Sequence, residues 1–120
     1  MKRTINVLGT KYYVYTDVSV YKDKSLENRF GYCTPTMRRI VVADLNTIDG
    51  WKDEPFYSKM VQQNETLRHE IIHAFLYESG LWGCNRFEGA WSMNEEMVDW
   101  LATQFPKILK VFEKLGCADI

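Results

Sequence analysis

His69 and His73 are the chain's two histidines, and they stand one helical turn apart in the run His69-Glu70-Ile71-Ile72-His73. On a helix, residues at i and i+4 project from one face, so both imidazoles can reach a single tetrahedral zinc ion. Glu70, rotated off that pair by one position, can lean over the fourth, open position and hold the water that zinc activates. A metal and a base are implied together. The run fixes only three positions, and in an ordinary helix such histidines are satisfied core or surface residues. Its surroundings favour the metal. Glu65 to Ser79 is helical throughout by propensity, Gly80 supplies a stop, and the two intervening positions, Ile71 and Ile72, are apolar as a buried active-site helix requires.

Having no third histidine removes whole classes of zinc enzyme. The extended pattern HExxHxxGxxH needs Gly at 76 and His at 79, where this chain has Leu76 and Ser79. The third protein ligand must then be a carboxylate or a cysteine. Carboxylates stand downstream in Asn94-Glu95-Glu96-Met97-Val98-Asp99-Trp100, which reads as the start of a second amphipathic helix. Glu95 also fits a capping box S-x-x-E with Ser92, in which it would only bond back to the helix start. Glu96 is then the competing ligand, although Trp100 rather than a carboxylate occupies its own i+4 position. Among the three cysteines, Cys84 follows His73 closely enough to be reachable, and Cys117 near the end reads as incidental. For each of them the default role is that of a small buried hydrophobe.

These segments together resemble the gluzincins, the HExxH zinc peptidases whose third ligand is a Glu in an ExxxD sequence on a following helix. Glu95 and Asp99 match that spacing, and Asn94 matches the NExxxD version of thermolysin-like enzymes. The resemblance covers residues 64 to 105, roughly. It implies Zn2+ held by His69, His73 and Glu95, with Asp99 accepting from the N–H of a ligand imidazole and so orienting it. The implied activity is that of a zinc-dependent metalloendopeptidase. Glu70 would take a proton from zinc-activated water as it attacks an amide carbonyl, then pass that proton to the leaving nitrogen. Peptide deformylases use an upstream cysteine instead, but Cys33, in Gly31-Tyr32-Cys33-Thr34-Pro35, lacks their Glu-Gly-Cys-Leu sequence. The oxyanion needs a donor beyond zinc, for which larger gluzincins use a His or Tyr. Tyr77, Tyr32, Arg68 and Arg86 are candidates here, and none has a motif behind it. Two other classes stand beside the peptidase: a non-catalytic protein that keeps zinc for structure, and a metal-free interaction protein with a peptidase-like fold.

The elements that must position these residues follow from periodicity and turn chemistry. Ile5 to Leu8 and Tyr12 to Tyr15 are β-branched and aromatic runs about a Gly-containing turn, which predicts a hairpin. Arg29 to Cys33 and Arg38 to Ala43 flank Thr34-Pro35-Thr36-Met37 and predict a second. Between them, Val18 to Asn28 is a loop or a short helix, and Asp44 to Glu54 is a connection. The main helix is expected to start near Pro55, or later with Asn64 as cap and Phe56 to Gln63 as a separate helical turn, and to run to about Ser79, with a loop from Leu81 to Trp91 walling the cleft. The second helix begins near Ser92, and Pro106 should kink or break it before an amphipathic piece from Lys107 to Leu115. The expected class is α+β: a small antiparallel or mixed N-terminal sheet packed on the HExxH helix and a following ligand helix, as one zincin-like domain over residues 1–120.

That order also resembles minimal gluzincins and the ImmA/IrrE-type metallopeptidases of phages and mobile elements. By this resemblance a strand before the HExxH helix, here Arg39 to Ala43, lines the cleft and offers its edge to an extended peptide. A cytoplasmic regulatory protein is the implied substrate. Composition sets the outer limits. In 120 residues the net charge is −1 with both signs interspersed, which leaves no footprint for nucleic acid. No run approaches a membrane span, and no signal-peptide stretch follows Met1. An odd number of cysteines in no paired spacing fits a reducing compartment, so the expected location is cytoplasmic.

Overall fold

The computed structural model describes residues 1–81, 94–115 and 117–119. Both expected hairpins form. Strand β1 (Lys2–Val7) runs antiparallel to β2 (Thr10–Val18), with Val7 opposite Thr10 across a two-residue turn. Leu8 and Gly9 in that turn both have positive φ, 50° and 91°, the conformation whose twist matches a tight hairpin. The second hairpin pairs β3 (Gly31–Thr34) with β4 (Arg39–Ala43) around a single 3-10 turn at Pro35–Met37. The two hairpins join through a parallel pairing of β2 with β4, giving a mixed four-stranded sheet of order β1-β2-β4-β3.

This order corrects one expectation. Arg39 to Ala43 is an inner strand, hydrogen-bonded on both sides, and its outer neighbour β3 carries the free edge among the described residues. The reason is geometric. A strand paired on one side with its hairpin partner can present an edge only if nothing else pairs with it, and β2 takes the other side of β4.

Helix α1 (Phe56–Glu78) lies across β3 and β4, with Pro55 at the capping position one residue ahead of it. Side chains alternate through the sheet as strand geometry requires. Val14, Ile40 and Cys33 point to the α1 side, where they meet Leu67, Ile71 and Ala74 on one helical stripe. Tyr15, Val41 and Tyr32 point away and pack with Leu26, Ala43 and Ile48. Leu26 and Leu45 belong to one-turn 3-10 helices, Lys24–Leu26 and Leu45–Thr47, capped by Asp23 and Asp44. The chain is therefore α+β, a small mixed sheet with two long helices. None of the described helices is long and apolar enough to cross a membrane.

Helix α2 (Glu95–Lys114) packs antiparallel on α1. Its buried Val98 and Ala102 face α1, and Thr103 donates to Glu65 at 3.2 Å. Of the kink or break expected at Pro106, the break does not occur: α2 continues through Pro106 to Lys114. Proline has no N–H, so a helix through Pro106 leaves the Ala102 carbonyl without its usual donor. Here Arg68 of α1 supplies one, Nε to the Ala102 oxygen at 2.6 Å. A tertiary hydrogen bond thus replaces the one that local chemistry forbids.

Candidate metal centre

Three stripes of α1 have three jobs. Leu67, Ile71 and Ala74 anchor the helix to the sheet, Glu65, Arg68 and His69 face α2, and Thr66, Glu70 and His73 form a buried polar row between them. Burying that row needs a close strand, and Gly31 on β3 provides it. A Cβ there would sit 2.8 Å from Thr66 Cγ2 and 3.6 Å from Glu70 Cγ. Glycine at this point lets β3 reach the side of the helix that carries Glu70.

At the start of α2, Asn94 is the cap. Its Oδ1 accepts from the Met97 N–H at 3.0 Å and its carbonyl from the Val98 N–H at 3.1 Å. Glu95 is then the first helical residue, not the third, so it is not the reciprocal partner of a capping box; Ser92 itself lies outside the described residues. Freed from that role, the Glu95 carboxylate turns to the histidines. Oε2 stands 3.2 Å from His69 Nε2, and Oε1 stands 3.0 Å from His73 Nε2. Asp99, one turn further along, accepts from His69 Nδ1 at 2.6 Å. Glu96 is exposed and has no ion pair among the described residues.

The two Nε2 atoms are 3.1 Å apart, with ring centroids at 4.7 Å. With its Nδ1–H donated to Asp99, the Nδ1–H tautomer of His69 would present Nε2 as a lone pair aimed at Glu95 and His73. Lone pairs gathered this closely repel unless a cation or a shared proton lies among them. The separations suit a cation. Ligands about 2.05 Å from a tetrahedral zinc are about 3.3 Å from one another, and those here lie between 3.0 and 3.2 Å. Nitrogen, nitrogen and carboxylate oxygen form a donor set that zinc accepts.

Glu70 reaches the same space from α1, its carboxylate within 4.8 Å of the ring nitrogens. Burial pushes this carboxyl up to about 7, against the pull of the His69 ring. Burial also lowers the His73 imidazole, keeping it neutral and available as a donor atom. The site opens on the α2 side, where the Glu95 and Asp99 side chains are each 64% exposed. A cleft of about 600 Å³ extends from it along Asn28 to Cys33, so the free edge of β3 forms one wall.

His69, Glu70, His73, Glu95 and Asp99 thus come together around one point. Cys33, Tyr32 and Arg68 do not join them. Burial pushes the Cys33 thiol up to about 12, far from the thiolate a metal needs. Tyr32 donates its hydroxyl to Asp23 at 2.5 Å, and Arg68 is committed to Ala102. Cys84 and Arg86 fall outside the described residues, as does most of the loop expected from Leu81 to Trp91, and Cys117 is exposed. The sequence reading passed over Gly31 and Thr66, which shape the pocket, and Arg29, which lines the cleft and draws the Glu70 carboxyl down. A glycine inside a strand pattern is the signal of close approach that was there for Gly31. No protein-family model, curated protein or solved structure matches the chain.

Proposed function

We propose that this protein is a zinc-dependent metallopeptidase with zincin-like packing, in which His69, His73 and Glu95 hold Zn2+ and Glu70 is the general base. The convergence of both Nε2 atoms and both Glu95 oxygens within 3.2 Å carries this reading. Zinc, when bound, supplies Lewis acidity that lowers the pKa of a water and polarises a carbonyl. The chain's own groups do the rest. Asp99 fixes the tautomer and the plane of the His69 ring, which keeps Nε2 aimed at the ion. Glu70, buried beside the two histidines, takes the proton from the attacking water and delivers it to the leaving nitrogen. The substrate is a peptide in extended form, added to the outer edge of β3, which pairs with no other strand among the described residues and borders the cleft.

The test is elemental analysis of untagged protein, followed by incubation of the zinc-loaded chain with a mixture of unstructured peptides read by mass spectrometry. One zinc per chain and new peptide termini are expected for wild type, and Glu70→Gln should keep the zinc and lose the cleavage. A chain that folds cooperatively without binding zinc would overturn the proposal. Zinc without cleavage, equal in wild type and Glu70→Gln, would leave a structural metal site.

A further inference from the structure

We propose that Arg68 is a positioning residue for the metal ligands: its bond to the carbonyl that Pro106 leaves free sets the register of α2 against α1. The inference rests on the metal site proposed above. In a helix interior a carbonyl is ordinarily engaged by the N–H four residues on. Pro106 opens a single notch, at Ala102, and Ala102 is fully buried against α1. Arg68 Nε enters that notch at 2.6 Å and makes no ion pair among the described residues. The fully buried apolar residues of α2 beside it, Val98 and Ala102, are small groups that tolerate a slide along the helix axis, and the other side-chain bond between the helices, Thr103 to Glu65, is longer at 3.2 Å.

Register matters because α2 is a rigid rod. Asp99 and Glu95 stand three and seven residues before Ala102, about 4.5 and 10.5 Å along the axis. Fixing Ala102 therefore fixes where both carboxylates meet His69 and His73. A slip of one residue moves them by about 1.5 Å and 100° around the axis, which breaks the 2.6 Å contact of Asp99 and both contacts of Glu95. Pro106 and Arg68, neither of which touches the metal position, act as notch and key.

The sign of the effect separates this role from simple electrostatics. Arg68 adjoins His69 and is cationic, so its charge alone opposes a bound cation, and neutral substitution would then tighten zinc binding. Positioning makes the opposite demand. The experiment measures zinc affinity by competition with a chromophoric chelator, alongside thermal unfolding of the metal-free proteins, for wild type, R68M, R68K, P106A and R68M/P106A. Zinc affinity is expected to fall about tenfold in R68M, in line with the loss of groups that orient ligands. R68K, which keeps a donor, should stay within about threefold of wild type. P106A restores the N–H that competes for the notch, so it should unfold no earlier than wild type yet bind zinc more weakly. The double variant should be no weaker than the weaker single, because both changes break one link. Unchanged or tighter zinc binding in folded R68M, or wild-type affinity in P106A, would overturn the inference while wild-type zinc binding still stood. Absence of zinc from wild type would overturn the metal site and this role together.

Discussion

Gly31→Ala tests how closely the sheet and helix α1 fit. The added Cβ would stand 2.8 Å from Thr66 Cγ2 and 2.8 Å from the Val41 carbonyl oxygen. Carbon atoms settle at about 3.5 to 4.0 Å, so the methyl contact is short by about 1 Å. Neither neighbour yields readily. Val41 belongs to the inner strand β4, and the Thr66 hydroxyl donates to the Gln62 carbonyl at 2.9 Å, which holds its rotamer. Overpacking of this kind costs about 1–3 kcal/mol. Urea unfolding of the metal-free protein should show a loss of about 2 kcal/mol with an unchanged denaturant slope. Thr66→Ser removes Cγ2 and keeps the hydroxyl, so Gly31→Ala measured in that background should cost about half as much, the Val41 contact persisting. A Gly31→Ala protein as stable as wild type, or a cost unchanged when Thr66→Ser is also present, would refute the fit argued for β3 and α1.

Removing the buried acid should stabilise the metal-free fold in a pH-dependent way. Burial raises Glu70 from an ordinary 4.5 to about 7, so the folded chain keeps a proton that the unfolded chain has lost, and stability falls as pH rises between those values. Glu70→Gln lacks that penalty. With chelator present, its advantage over wild type should grow from near zero below pH 4.5 to about 3 kcal/mol above pH 7, at 1.36 kcal/mol per unit. A gap that does not change with pH would contradict the burial argument. Zinc titrations should rank Glu95→Gln far below Glu96→Gln, and the reverse order would assign the ligand to Glu96. Asp99→Asn should weaken zinc by about 10- to 100-fold, and wild-type affinity in that variant would make its contact with His69 incidental.

Much of this was legible in the sequence where one local rule sufficed. Helix α1 follows from a long run of good helix formers around His69 to His73, and each hairpin follows from turn residues between β-rich runs. Glu95 and Asp99 were readable as a pair through the resemblance to the ExxxD sequence of gluzincins, whose spacing places them on one face. What escaped depends on contacts between distant segments. Nothing in either hairpin encodes that β2 pairs with β4 in parallel, and that pairing alone decides that β3 rather than β4 borders the cleft. Pro106 reads as a breaker because the donor that rescues its helix lies on another element. Ser92 and Asn94 are both good capping residues, and the choice between them shifts Glu95 from a cap partner to a free carboxylate.

Glu95 is also the first residue of its helix, which places it at the end of a long excursion of the chain. From His73 on α1 to Glu95 on α2 the backbone closes a loop of 22 residues. Zinc, if it stayed bound at both ends, would act on the unfolded chain as a cross-link does, removing loop-closure entropy. A covalent bridge over such a loop is worth about 3 kcal/mol, for an ideal cross-link that leaves the native state unstrained. The same ion that serves the chemistry would then be a clasp on the fold. Chelation would loosen the attachment of α2 before it disturbed the sheet, whose strand pairings lie wholly outside that loop and whose core, apart from Ala74, does too.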